Sequence, residues 1–324
     1  MLRILKRGTL QIALAIAFGV AATASPVCAQ SKFVVGKANA VADTNIPVNI
    51  GDRLGIFKKR GLDLQIVDFQ GGAKLVQGMI AGDIDIGVGA GVEMAFIARG
   101  TPMMAICESA SAMSSFAIGV PWDSPLKSLK ELKGKKVGVS SAGSLTDWLA
   151  KQLTLKEGWG PDGIIIAPIG SNPTTSAAAF RAHLIDAYVG GTATFLRMAE
   201  SQSGRILAPV SSYMGPVAAG TLFASKRAMD SHPDGVRAFV AGWIETIAYI
   251  RAHKDEAVKL SAAVTNFSEG VMSKSYDITI GMYTKDCRFD PQSLATLKQS
   301  FIDLNLLDEP PDMSKLYTEA YLPK

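Results

Sequence analysis

Short apolar segments of two kinds alternate along the first third of the chain. KFVVGKAN (32–39), LDLQIVDF (62–69) and IDIGVG (84–89) predict strands, because they are short and their apolar residues are consecutive or alternate. IPVNIGDRLGIFKKRG (46–61) and AKLVQGMIAG (73–82) carry apolar residues at helical spacing, and each ends on a glycine that can terminate a helix. Strands and helices that alternate at this length predict a parallel, doubly wound sheet.

The rhythm breaks at SSFAIGVPWDSP (114–125) and then starts again, with KKVGVSS (135–141) as a strand and SLTDWLAKQLTLKEGWG (144–160) as a helix. After about residue 220 the pattern becomes mainly helical, and these helices are expected to pack back on the first unit. We therefore predict an α/β protein of two lobes, the second inserted into the first. Each lobe is a parallel-type sheet flanked by helices, and the chain crosses between the lobes twice, at a hinge. Lobe 1 is predicted over 30–120 and 213–324, with lobe 2 inserted over 121–212.

A phrase that recurs in both units indicates where a ligand would bind. IDIGVG (84–89) and IDAYVG (185–190) are each followed by a small residue and a helix. In open α/β sheets, ligands bind beyond the carboxyl ends of the strands, so two such ends facing each other would form a cleft. The alternative is that a common strand-end phrase recurs by chance.

The strongest local candidate for ligand binding is the turn from Ser140 to Ser144, between a predicted strand and a predicted helix. The first turn of a helix has unpaired N–H groups and a partial positive charge, and the serine hydroxyls add further donors. Such a turn suits a carboxylate, sulfonate, nitrate or phosphate. An ordinary helix cap formed by Ser141 or Ser144 is the alternative.

Other turns are expected to face the same cleft from both lobes. Glu93, near a helix start, either complements the helix dipole or meets a cationic or hydroxyl group of a ligand. Phe116 either forms an apolar wall or packs in the core. The predicted ligand-binding residues are Thr44, Asn45, Gly71, Gly72, Ala90, Gly91, Glu93, Phe116, Ser140, Ser141, Gly143, Ser144, Thr146, Gly191 and Thr192.

The first 29 residues have the pattern of a secretory signal peptide. Arg3, Lys6 and Arg7 precede the apolar run TLQIALAIAFGVAATA, and small residues at 27–29 form a cleavage site. We expect cleavage after Ala29 and a periplasmic protein; an uncleaved membrane anchor is the alternative. Loss of the three basic residues lowers the formal net charge from +4 to about +1, which gives no reason to expect nucleic-acid binding.

The remaining composition gives little support to catalysis. Cys107 and Cys287 could form a disulfide in an oxidising compartment, or Cys107 could be a buried free thiol. The histidines are scattered and have no metal-ligand spacing, and no serine–histidine–acid, HExxH or phosphate-loop motif is present. We therefore expect no metal, no cofactor and no enzymatic activity.

Three phrases, in this order, resemble the nitrate/sulfonate/taurine group of periplasmic substrate-binding proteins of ABC importers: GIFKKRGLDLQIVDFQGG (55–72), AGDIDIGVG (81–89) and SLKELKGKKVGVSSAGSLTDWLAKQL (128–153). This group shares its fold with pyrimidine-precursor binding proteins. The resemblance implies the two-lobed type II periplasmic binding protein fold. It also implies a monomer that closes on one small anion and delivers it to an inner-membrane permease with its ATPase. The lack of an arginine in the predicted turns favours a carboxylate on an apolar body. An enzyme on the same fold, of the pyrimidine-precursor synthase or small lyase type, and a sensor subunit are the alternatives.

Overall fold

The computed structural model describes residues 31–324, so the predicted signal peptide and its cleavage site lie outside the described residues. Within this range, none of the helices combines the length and the apolar character needed to cross a membrane. In chain order the strands are β1 (Ser31–Lys37), β2 (Leu62–Asp68), β3 (Ile86–Gly89), β4 (Met103–Ala110), β5 (Phe116–Val120), β6 (Lys136–Val139), β7 (Ile165–Pro168), β8 (Ala187–Gly191), β9 (Arg205–Pro209) and β10 (Gly220–Ser225).

Helices flank the strands throughout. In chain order they are α1 (Pro47–Arg53), α2 (Ile56–Lys59), α3 (Gly72–Ile80), α4 (Met94–Ala98), α5 (Leu145–Lys156), α6 (Pro173–Arg181), α7 (Thr192–Glu200), α8 (Lys226–Ser231), α9 (Pro233–Ala252), α10 (Lys254–Thr265), α11 (Glu269–Thr279) and α12 (Pro291–Asp303). The segment 46–61, predicted as one helix, is two, because Gly55 adopts a left-handed conformation (φ 69°) between α1 and α2.

The strands form two five-stranded sheets of the same design, which confirms the predicted fold class. The first sheet has the order β2-β1-β3-β10-β4 and the second β7-β6-β8-β5-β9. In each sheet the first three strands are parallel, and the fourth, β10 or β5, runs antiparallel to both of its neighbours. Each sheet therefore contains one antiparallel strand in addition to the predicted parallel set.

The antiparallel strands are the ones that follow the two crossings between sheets. A crossing strand enters its new sheet from the edge where the other strands end, so it must run in the opposite direction. β5 pairs with β8 and β9, so residues 116–120 belong to the second sheet and not to lobe 1 as predicted. The other lobe boundaries stay predictions.

The C-terminal helices pack on the first sheet unit, as expected from the sequence. Phe57 of α2 stacks on Phe239 of α9 with ring centroids 5.0 Å apart, and both rings are fully buried. Cys107 of β4 and Cys287, just before α12, form a disulfide across a sequence separation of 180 residues. The alternative of a buried free thiol is therefore wrong, and the bond joins the tail to the sheet.

Candidate functional site

A small cavity, with about 40 Å³ of space open to water-sized molecules, lies between the two sheet units, where the carboxyl ends of their parallel strands face each other. Ten of the fifteen predicted site residues line it. The complete lining is Ala38, Asn39, Ala42, Thr44, Asn45, Gly71, Gly72, Gly89, Ala90, Glu93, Phe116, Ser140, Ser144, Leu145, Thr146 and Ala219.

Contacts across the cleft show that the two halves are closed on the cavity. The Ser171 backbone N–H donates to Gln70 Oε1 at 2.9 Å, from the second unit to the first. Gly71 lies so close to Ser141 that a methyl group added to Gly71 would collide with the Ser141 hydroxyl oxygen. Trp148 of α5 donates its indole N–H to Ser300 Oγ of α12 at 3.0 Å. These contacts bring the two walls of the cavity together and leave it partly open to solvent.

Three hydroxyl groups form a cluster at the start of α5. The Ser140 and Ser144 oxygens are 2.8 Å apart, as are those of Ser140 and Thr146. Ser144 donates its proton to the Ser141 carbonyl at 2.7 Å, and Thr146 Oγ1 accepts the Ser140 N–H at 2.8 Å. Among the described residues, neither Ser140 nor Thr146 has a backbone carbonyl as acceptor. Their protons can therefore turn toward a ligand.

The N-terminal end of α5 adds backbone donors to this cluster. Leu145 and Thr146 are the first two helical residues, whose N–H groups lack intrahelical partners, and both line the cavity. Asp147 already accepts the Gly143 N–H at 2.8 Å and pairs with Lys151 at 2.9 Å, so part of the helix end is occupied by a protein carboxylate. The free donors are the ones on the cavity side.

The opposite wall of the cavity carries a buried carboxyl group. Glu93 is 1% exposed, and its Oε2 accepts the Ala90 N–H at 2.7 Å. Burial raises the pKa of this carboxyl to about 7. Gly72 makes room for it, because a methyl group there would overlap Glu93 Oε1.

Thr44 and Asn45 form a fixed rim on the first sheet unit. The Thr44 hydroxyl donates to Asn45 Oδ1 at 2.8 Å, and Asn45 Nδ2 donates to the Val88 carbonyl at 3.2 Å. Both side chains are buried. The Asn45 amide thus ties the loop after β1 to the end of β3, and Phe116, at the start of β5, closes the cavity as an apolar wall.

Five predicted site residues lie beside the cavity and not in its lining. Gly91 donates its N–H to the Ala218 carbonyl at 2.8 Å. Ser141 faces Gly71 at the cleft contact, and Gly143 sits in the turn before α5 with φ 73°. Gly191 pairs with Phe116 between β8 and β5, and Thr192 donates to the Ser114 carbonyl at 3.3 Å. These positions support the neighbouring strands and turns.

Six lining residues were not predicted: Ala38, Asn39, Ala42, Gly89, Leu145 and Ala219. Asn39 directly precedes the segment AVADTN (40–45), which contains the predicted residues Thr44 and Asn45, and Leu145 directly follows Ser144. Extending the predicted segments by one or two residues would have found both. No sequence pattern indicated Ala219. It lies on the second crossing between the sheets, and the course of this crossing depends on how the two halves pack.

The two sheet units and the cleft between them form the periplasmic binding protein fold. The chain belongs to the NMT1/THI5-like family, whose profile matches residues 44–257. A protein of Bacillus subtilis (strain 168), named for binding aliphatic sulfonates, is 25% identical over 217 residues, which are 67% of this chain and 64% of that protein. The chain thus spans less than two thirds of this relative.

Solved structures share the fold across almost the whole chain. A protein of Bordetella bronchiseptica RB50 has a TM-score of 0.77 at 21% identity, covering 90% of this chain and 95% of that chain. The alkanesulfonate-binding protein SsuA from Xanthomonas axonopodis pv. citri, bound to MOPS, has a TM-score of 0.73 at 18% identity, covering 90% and 97%. A mutant of the desulfurization enzyme DszB, in complex with biphenyl-2-sulfinic acid, has a TM-score of 0.63 at 16% identity, covering 90% and 97%.

Proposed function

We propose that this protein is the periplasmic solute-binding component of an ABC importer, which holds one small organic anion in the cleft and delivers it to a permease. The single observation that carries the proposal is the cluster of Ser140, Ser144 and Thr146 at the N-terminal end of α5, inside a cavity closed by two lobes. Hydroxyl and helix N–H donors at the cavity wall favour an anionic oxygen group.

The names of the relatives extend the proposal to the ligand class. Both the Bacillus subtilis protein and the Xanthomonas protein are named for binding sulfonates. The hydroxyl groups of the cavity lining and the N–H groups at the start of α5 can donate to a sulfonate or to a carboxylate, and the apolar lining residues suit a short apolar body. Phe116 and Leu145 would contact that body.

A binding role fits the lining better than an enzymatic one. The lining contains serine and threonine hydroxyls but neither histidine nor cysteine, and both described cysteines are in the disulfide. Nucleophilic catalysis by a hydroxyl group needs an adjacent base. Glu93 carries the carboxyl group of the lining, but its Oε2 accepts a hydrogen bond from the Ala90 N–H and not from a hydroxyl group. Ligand recovered unchanged after long incubation is therefore the expected result.

The test is calorimetric titration with ethanesulfonate, propionate, benzoate and nitrate, together with native mass spectrometry of the protein isolated from periplasm. Ser140→Ala is expected to weaken binding of the tightest anion about tenfold or more, because it removes a hydrogen bond to a charged group. Ser211→Ala, at an exposed serine, is the matched control and should bind as the wild type does. Equal binding by both variants, or conversion of the ligand, would contradict the proposal.

A further inference from the structure

The cavity proposed for the anion also contains a carboxyl group. Glu93 is the only ionisable side chain among the described residues that line it, and the other lining side chains are apolar, hydroxyl or amide groups. The cavity is small, so a bound anion and this carboxyl group cannot lie far apart. An ionised Glu93 would therefore repel the anion inside the proposed site.

The carboxyl group and the hydroxyl cluster of α5 lie beside two consecutive glycines. A methyl group on Gly71 would lie 3.1 Å from Ser140 Oγ, and one on Gly72 would overlap Glu93 Oε1. Because consecutive Cα atoms are about 3.8 Å apart, these two oxygen atoms lie within about 10 Å of each other. An anion of a few atoms that is held by the hydroxyl cluster is thus within reach of Glu93.

The hydrogen bonding of Glu93 leaves one of its oxygens free to carry a proton. Oε2 accepts the Ala90 N–H at 2.7 Å, and either an ionised or a neutral carboxyl group can accept this bond. Oε1 accepts no hydrogen bond from residues 31–324 and fills the space that Gly72 leaves free at the cavity wall. Burial favours the protonated form and raises the pKa of Glu93 to about 7. A proton on Oε1 would make this oxygen a hydrogen-bond donor at the cavity wall.

The elements around Glu93 place no basic side chain in the cavity lining. The helices packed against residues 91–93 are α3, α4, α5 and α12. Their ionisable residues, none of which lines the cavity, are Lys74, Asp147, Lys151, Lys156, Lys298 and Asp303. The buried Lys37, at the end of β1, pairs with Asp68 at 3.1 Å. The lining therefore offers no cation that would hold Glu93 in its ionised form.

We propose that Glu93 binds the anion as a neutral carboxylic acid, so that each anion enters the cleft together with one proton from the solvent. The inference rests on the proposed anion-binding function and adds the protonation state that the site requires. The Oε1 proton donates to the anion beside the donors of α5, and the loss of the negative charge on Glu93 removes the repulsion. A bound anion in turn makes Glu93 hold its proton more tightly.

Calorimetric titration of the protein from pH 6 to 9 with ethanesulfonate, propionate, benzoate and nitrate tests the inference. These anions stay ionised over this range, so a change in affinity reports on the protein. Affinity is expected to fall about tenfold or more between pH 6 and 9, because uptake of one proton per anion changes affinity by up to about tenfold per pH unit. At pH 8, titrations in two buffers of different ionisation enthalpy should show uptake of about half to one proton per anion.

Glu93→Gln distinguishes a proton donor from a structural residue. The amide oxygen can accept the Ala90 N–H while the amide NH2 group donates to the anion at any pH. This variant should bind the anion independently of pH, without proton uptake, and more tightly than the wild type at pH 9. Glu108→Gln is the matched control. Burial also raises the pKa of Glu108 to about 7, but this residue does not line the cavity, so the control should keep the pH dependence. Asp43→Asn, at a buried acid beside the lining, should keep it as well.

Different results separate the two proposals. If anions bind but their affinity does not fall as the pH rises, or no proton is taken up, the inference is wrong and the anion-binding function stands. It is also wrong if folded Glu93→Gln keeps the pH dependence or binds no more tightly than the wild type at pH 9. If no anion binds at any pH in the range, both proposals fail. If Glu93→Gln does not fold, proton uptake that both Asp43→Asn and Glu108→Gln retain supports the inference, and loss of the uptake in either variant overturns it.

Discussion

Gly71→Ala should impair the protein in two separable ways. Gly71 has φ 118° and ψ 154°, a backbone region that is essentially restricted to glycine, so alanine strains the start of α3 whether or not the lobes are closed. The added methyl group would also collide with the Ser141 hydroxyl oxygen on the other side of the cleft. The first effect acts within one lobe, and the second acts only when the lobes meet.

The expected magnitudes follow from these two causes. Backbone strain of this kind costs about 1–3 kcal/mol, so the free energy of unfolding should fall by about that amount. Overpacking at the cleft costs a further 1–3 kcal/mol or so in the closed state alone, which corresponds to a loss in ligand affinity of roughly 5- to 150-fold. Urea denaturation measures the first quantity, and calorimetric titration with the tightest ligand of the panel measures the second.

Ser141→Ala distinguishes the two effects. The Ser141 hydroxyl is buried and has no hydrogen-bond partner among the described residues, so the single variant should be close to neutral in stability. In the double variant, Gly71→Ala with Ser141→Ala, the collision with the hydroxyl oxygen is removed, whereas the tight contacts of 3.1 Å with Ser140 Oγ and with the Cβ at position 141 remain, as does the backbone strain. Affinity should therefore recover in part and the stability should not. Wild-type affinity in Gly71→Ala, or recovery of stability in the double variant, would refute the reasoning.

Three further predictions concern the disulfide, a buried acid and the cleft contact. Replacing Cys107 and Cys287 by serine should lower the unfolding free energy by up to about 5 kcal/mol, because the bond closes a loop of about 180 residues in the unfolded chain. Thermal unfolding with and without a reductant measures this effect. An unfolding temperature of the wild type that does not change with reductant would contradict it. Burial raises the pKa of Asp43 from 3.8 to about 6, so the native state holds a proton that the unfolded state releases, and stability should fall by about 3 kcal/mol as the pH rises from about 4 to 6. Asp43→Asn should reduce this fall in urea titrations at pH 4 to 8, and an unchanged pH profile would contradict the assignment. Trp148 is buried between α5 and α12, so opening of the cleft should shift its fluorescence to longer wavelength, and Trp148→Phe should abolish the ligand-dependent part of the signal.

Short-range patterns were sufficient for the elements that position the site. The strand IDIGVG, the helix that follows Ser144 and the repeated phrase IDAYVG lie where the sequence predicted them, because burial on one face imposes a period that is visible within about ten residues. A local error, the single helix over 46–61, arose at Gly55. Its left-handed conformation cannot be read from apolar spacing.

The sequence by itself determined the order of strands and helices, the two-lobed fold and ten of the residues that line the cavity. Only the tertiary structure decided that Cys107 bonds to Cys287, that Ala219 reaches the lining, and that Glu93 stands in it without a basic residue. The physical reason is that these relations depend on how elements more than a hundred residues apart dock against one another. The period of apolar residues records which face of an element is buried, and it does not record what that face meets.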